Sequence, residues 1–176
     1  MGRVLIALEL RDRELQARDP HPIMGSPSLH ASIIDGGREL SSYPDRCRLQ
    51  LERRTVAGET ADSFMGELDR ILAGLRQADP GFEASARLMF SRPPYEVPAG
   101  HDLPRALADA ASGAGAAGGT IGMSFWTDAA ILGHAGIPSV LFGPGGAGLH
   151  SIEEHVVIAD VVVCRDALAA LAMTWL

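Results

Sequence analysis

Cys47-Arg48-Leu49-Gln50-Leu51-Glu52-Arg53-Arg54-Thr55 decides the fold of the first half of the chain. Cys47, Leu49 and Leu51 alternate with Arg48, Gln50 and Glu52. Alternation at period two marks a strand with one face buried. Downstream, Thr60 is placed to cap a helix over residues 61–77, where Phe64, Leu68, Ile71, Leu72 and Leu75 recur at helical spacing. Asp79-Pro80-Gly81 then turns the chain, and residues 82–90 alternate again as a strand. Upstream, residues 28–35 contain Leu29-His30-Ala31-Ser32-Ile33-Ile34, a second strand closed by Gly36-Gly37. Before it, residues 3–18 set Leu5, Leu8 and Leu15 near one face of an amphipathic helix, which Pro20 and Pro22 end.

The order helix, strand, strand, helix, strand is most of a split β-α-β unit of the ferredoxin-like type. Such a unit opens on a strand, and none precedes the first helix in this sequence. A sheet short of one strand leaves backbone edges unpaired, so an unstable or self-associating chain is expected. Ser91-Arg92-Pro93-Pro94-Tyr95-Glu96-Val97-Pro98 reads as a boundary, giving domains over residues 1–91 and 92–176. In the second domain, helices are expected over 103–111, 127–135 and 158–175, with strands over 120–123 and 139–142. Alternating strands and helices suggest a parallel α/β arrangement. The chain as a whole is expected to be α/β, an α+β first part followed by an α/β remainder.

Composition narrows the classes. Of 176 residues, 47% are apolar and 21% charged, as in a globular domain rather than a disordered one. All 15 basic residues are Arg, with no Lys and no Asn, which reads as GC-rich coding rather than function. A net charge of −7 with scattered Arg argues against a nucleic-acid surface. The longest apolar run, residues 131–142, is interrupted by Gly133, His134, Gly136 and Pro138, so no membrane span is expected. The apolar start of the chain passes directly into a charged amphipathic pattern, which reads as a helix rather than a signal peptide. Cys47 and Cys164 carry no CxxC or disulfide signature, and two buried thiols in a reducing cytoplasm are expected.

Chemistry concentrates in Phe142-Gly143-Pro144-Gly145-Gly146-Ala147-Gly148-Leu149-His150-Ser151-Ile152-Glu153-Glu154-His155. A glycine loop after a strand lets backbone N–H groups approach a ligand. It lacks both GK[ST] and GxGxxG, so a nucleotide-binding reading fails on detail. His150 and His155 are possible metal ligands, although a lone histidine is more often structural, and Glu153-Glu154 is more often a solvated pair. Thr127 and Asp128 sit where a helix begins and can cap it. The same N–H groups suit a carboxylate. Arg53-Arg54 reads by default as a solvated pair, though a guanidinium is the natural bidentate partner of a carboxylate.

Two motif groups together resemble a known family. One runs from Pro27-Ser28-Leu29 through Gly36-Gly37 and Ser41-Ser42-Tyr43-Pro44 to Leu51-Glu52-Arg53-Arg54-Thr55-Val56-Ala57-Gly58-Glu59. The other is Ser124-Phe125-Trp126-Thr127-Asp128-Ala129-Ala130, Gly136-Ile137-Pro138 and Gly143-Pro144-Gly145 through His150. They are similar to the lid, or dimerisation, domain and the end of the catalytic domain of the metallopeptidases that include acetylornithine deacetylase, succinyl-diaminopimelate desuccinylase, aminoacylase and the glutamate carboxypeptidases.

The resemblance implies a two-zinc hydrolase that cleaves an N-acyl or peptide amide beside a free carboxylate. By the motif, His150 matches the last zinc ligand and Arg54 the lid arginine that grips the substrate carboxylate. Thr127, Gly145 and Gly146 fall where substrate contacts are expected. Ser41 stands where many members have Asn. The family's HxD motif, bridging Asp, Glu-Glu pair and further acidic ligand precede the lid, and none is in this sequence. Glu153-Glu154 follows the last ligand and does not match the catalytic pair. The resemblance therefore implies a chain that is inactive alone and does not bind zinc tightly, since one histidine cannot hold two metals. It also implies a homodimer through the lid. A non-catalytic dimerisation or interaction module is the alternative.

Overall fold

The computed structural model describes residues 1–98 and 100–175. The chain forms two compact units, Met1–Pro94 and the remainder from Tyr95 onward. It is a mixed α/β protein of helices and small antiparallel sheets.

The first unit comprises α1 (Gly2–Gln16), β1 (Ser28–Gly36), β2 (Cys47–Arg54) and α2 (Ala61–Ala78). β1 and β2 form an antiparallel pair from Ser28↔Arg54 to Gly36↔Cys47. The register shifts between Ala31 and Ile33, so Ser32 is the extra residue of a bulge. Before the bulge Leu29 and Ala31 stand opposite Arg53 and Leu51. After it Ile34, not Ile33, stands opposite Leu49. Leu8, Leu15, Leu29 and Leu68 form the core, with Leu49, Leu51, Phe64 and Ile71 packed against it. α1 and α2 thus cover the face that β2 shows through Leu49 and Leu51, as a two-stranded sheet requires for stability.

Thr60 caps α2 as its position suggests. Its hydroxyl accepts the Ser63 N–H at 3.1 Å, and the Ser63 hydroxyl accepts the Thr60 N–H at 3.1 Å. Arg11 of α1 grips Glu67 of α2 in bidentate fashion, Nε to Oε2 at 2.9 Å and Nη2 to Oε1 at 2.5 Å.

The strand expected over residues 82–90 does not form. This segment runs unpaired after α2. Ala86 touches the core, and the Ala84 carbonyl accepts a hydrogen bond from Arg76. An alternating pattern needs a neighbouring ladder before it becomes a strand, and none is present among the described residues.

The second unit comprises α3 (Asp102–Gly113), α4 (Ala129–His134), β3 (Gly146–Ala147), β4 (His155–Val156) and α5 (Ile158–Thr174). α3 packs on α5, burying Leu107, Ala111 and Ala167. The His101 ring caps α3 by accepting the Leu103 N–H at 3.1 Å and stacks on Trp175 at 6.3 Å between centroids. The parallel arrangement expected here is not found. Residues 120–123 and 139–142 form no strand, and the one sheet among the described residues of this unit is the antiparallel pair β3–β4. Part of the reason is local, because the Ser139 N–H donates to the Tyr95 hydroxyl at 3.0 Å and is not free for a ladder. α4 begins at Ala129 rather than Thr127, and its N-cap Asp128 makes no side-chain capping bond. Although α5 is apolar over most of its length, Ile158, Val161, Val162, Leu168 and Met173 remain exposed.

The thiols also depart from expectation. Cys47 is exposed and Cys164 half-buried, and neither is disulfide-bonded. Cys47 opens β2 at the loop end of the hairpin, beyond the reach of the helices that cover Leu49 and Leu51. No helix among the described residues is long and apolar enough to cross a membrane.

Candidate functional site

The two arginines that close β2 have opposite surroundings, and strand parity is the cause. Arg53 falls on the side of Leu49 and Leu51, Arg54 on the side of Gln50 and Glu52. The Arg53 side chain is 4% exposed, pairs with Glu59 and lies over the Phe64 ring at 6.0 Å. Glu59 also accepts the Val56 N–H at 3.2 Å, which ties down the turn between β2 and α2. The solvated-pair reading therefore holds for Arg54 alone, whose side chain is 53% exposed and meets Glu52 at 3.4 Å. A weak exposed pair of this kind leaves a guanidinium available to a carboxylate.

Ser41 is exposed in the loop joining β1 to β2. Arg54 closes the opposite end of the hairpin, opposite Ser28. The strand between them spans roughly 20 Å at about 3.3 Å per residue. Ser41 and Arg54 of one chain are therefore not brought together.

In the second unit, Gly145, Gly146 and His150 belong to one hairpin. β3 and β4 pair through Gly146↔Val156 and Ala147↔His155, and the Val157 N–H donates to the Gly145 carbonyl at 2.9 Å. The strands approach so closely that a Cβ on Gly146 would stand 2.1 Å from the His155 carbonyl oxygen. The Gly145 N–H donates to the Asp160 carboxylate at 3.1 Å. That donor is thus already engaged by the first turn of α5, and a substrate oxygen would have to share it.

His150 lies in the hairpin loop with its side chain exposed to solvent. Its φ of +63° is the only left-handed value at a non-glycine position among the described residues. Such values are uncommon outside glycine and cost energy that surrounding contacts must offset. Sequence spacing gave no sign of this conformation, though Gly148 with φ +75° stands two residues before it. Thr127, half-buried just before α4, accepts the Ala130 N–H on its carbonyl at 3.1 Å.

The remaining histidines serve local structure where bonds are seen. His21 accepts the N–H groups of Ile23 and Met24, and His134 Nδ1 lies 2.5 Å from the Ala130 carbonyl oxygen. His155 Nδ1 lies 3.0 Å from the Glu153 carbonyl oxygen. Among the described residues no three His, Cys, Asp or Glu side chains stand close enough to hold one metal ion. The donors among the described residues do not by themselves fit a two-zinc centre, which needs three or four protein ligands per ion.

Residues 10–174 match the Peptidase family M20/M25/M40, and the chain belongs to that family. It is 29% identical over 143 residues to acetylornithine deacetylase of Myxococcus xanthus, covering 81% of this chain and 36% of that protein. It is 26% identical over 191 residues to N-formyl-4-amino-5-aminomethyl-2-methylpyrimidine deformylase of Bacillus subtilis, covering 99% of this chain and 45% of that one. The chain thus spans less than half the length of either relative.

Proposed function

We propose that this chain supplies the carboxylate-gripping lid and the last metal ligand of a metal-dependent amide hydrolase, and that it is inactive by itself. Arg54 is the residue for the substrate carboxylate, His150 the zinc ligand. Thr127 and Gly146 make polar contacts, as does Ser41 of a second copy of the chain, with Gly145 contributing only where Asp160 yields its N–H. The substrate class is an N-acyl amino acid or peptide, cleaved at an amide beside a free carboxylate. The observation that supports this reading is a family match running through both units, over residues 10–174, in a chain that spans less than half the length of either relative. A cytoplasmic location fits the same class.

The test is direct. The purified chain, with and without added Zn²⁺, is assayed on N-acetylornithine and a panel of N-acyl amino acids. No turnover and no stoichiometric zinc are expected. Turnover with one or more tightly held zinc ions per chain would sink the proposal. Activity regained on mixing with the non-matching portion of the Myxococcus relative would strengthen it.

A second reading, a non-catalytic dimerisation module, is favoured by β1. Its Ile33 and Ile34 are exposed on a two-stranded sheet with open edges. Self-association of the first unit into a homodimer is expected on either reading, and sedimentation showing only monomer would count against it.

A further inference from the structure

The hairpin loop from Gly148 to Glu154 closes on itself. The Ser151 N–H donates to the Gly148 carbonyl at 2.7 Å, making a four-residue turn with His150 as its third residue. A positive φ at the third residue alone is what a type II turn requires, and glycine or asparagine is usual there. Histidine occupies that position here with φ +63°. Something has to hold it.

The returning arm supplies the hold. The Glu154 carboxylate accepts the His150 N–H, Oε2 to N at 3.2 Å. Glu154 is held in turn, its own N–H reaching the Ser151 carbonyl at 3.3 Å. The Glu153 N–H donates to the Ser151 hydroxyl at 3.2 Å. A hydrogen bond to an ionised acceptor is stronger than one between neutral groups. Nearby, Gly148 leaves room that a Cβ would take, since one built there stands 2.7 Å from the Ser151 hydroxyl.

We propose that Glu154 is a positioning residue for His150. Its carboxylate holds the His150 peptide in the left-handed conformation and thereby fixes the direction in which the imidazole leaves the backbone. Glu154 touches no reacting atom on this account. It acts through the residue whose backbone it binds. The functional weight of this role rests on His150 being the working side chain of the hairpin, as proposed above, but the structural effect does not.

The test uses the full 176-residue chain and nuclear magnetic resonance. In the unaltered chain the His150 amide should exchange slowly and its side chain should populate one χ1 rotamer. Glu154→Ala should speed His150 amide exchange about tenfold or more and average χ1, while amides of α3 and α5 keep their protection. Glu154→Gln, which retains an acceptor oxygen, should restore most of the order. Glu154→Asp, one methylene shorter, should not, and it serves where the alanine variant folds poorly. Unchanged His150 exchange and χ1 in Glu154→Ala would overturn the proposal. So would an equal loss of protection across α3 and α5, or a failure of glutamine to rescue. None of these readouts depends on zinc or substrate. Zinc-dependent turnover by the isolated chain, which would sink the reading above, therefore leaves this inference standing, and a flat magnetic-resonance result leaves that reading standing.

Discussion

Arg53 holds Glu59 across the turn between β2 and α2, with its side chain 4% exposed and its guanidinium over the Phe64 ring. One guanidinium nitrogen, Nη1, has no hydrogen-bond partner among the described residues. A buried pair of this kind is costly to break by halves, because the surviving charge is stranded. Arg53→Ala should destabilise the first unit by about 2–3 kcal/mol, somewhat below the fully buried case because Glu59 is partly solvated. Arg54→Ala, next in sequence, should change stability by less than about 0.5 kcal/mol. Paired urea titrations of the two variants decide this, and equal losses would contradict the parity assignment. Arg53→Met combined with Glu59→Gln should recover most of the loss, since glutamine still accepts the Val56 N–H.

Acid should loosen the α1–α2 contact. Burial works to raise the Glu67 carboxyl, but the Arg11 hydrogen bond and the charges of Arg11, Arg53 and Arg18 outweigh it. The net result is a value below the ordinary 4.5. A carboxyl depressed in the folded state stabilises above its unfolded value, and that contribution is lost as pH falls through the folded one. Stability should therefore be constant near neutrality and fall below about pH 4.5. Glu67→Gln should be less stable at neutral pH and show a shallower acid loss. Unfolding midpoints collected across this range provide the comparison, and parallel curves would refute it.

The hairpin bearing His150 should tolerate no side chain at Gly146. An added Cβ meets the His155 carbonyl oxygen at 2.1 Å, and both are backbone-fixed. Gly146→Ala should cost more than about 1 kcal/mol locally, in the range of overpacking. Gly143→Ala, with nothing within 4 Å of the new atom, should be neutral within about 0.5 kcal/mol. Hydrogen exchange at the Val157 amide, which bonds the Gly145 carbonyl, reports the difference.

The capping box of α2 gives a smaller effect. Thr60→Ala should cost about 1 kcal/mol and Thr60→Asn very little, because asparagine still accepts the Ser63 N–H. Thermal unfolding of the two variants is sufficient, and identical midpoints would show that the cap is not limiting.

Much of the first unit could be read directly from the sequence. The 3.6-residue spacing of Leu68, Ile71, Leu72 and Leu75 and the alternation through Leu49 and Leu51 are local signals, and α2 and β2 form where they predict. Continued by two residues, that alternation also assigns Arg53 to the core face; a default that treats arginine pairs as solvated hides it. Residues 82–90, 120–123 and 139–142 carry strand-like patterns without forming strands. Pairing is non-local, and a pattern does not disclose whether a partner strand lies beside it. β3 and β4 leave no signal in the sequence for a different reason. At two residues each, Gly146–Ala147 and His155–Val156 are too short to show any period. The motif points to His150, but its left-handed backbone and the bond from its N–H to the Glu154 carboxylate are features that no spacing rule anticipates.

The exposed Cys47 and half-buried Cys164 give the molecule a practical property. One thiol belongs to each compact unit, and the two differ in accessibility. A limiting dose of maleimide dye should label Cys47 first, and a second dye added under mild denaturant should reach Cys164. The unaltered polypeptide can thus carry a donor and an acceptor fluorophore with no engineered cysteine. Energy transfer between them would report how far apart the two units sit in solution, and whether that separation changes when a partner or substrate analogue is added.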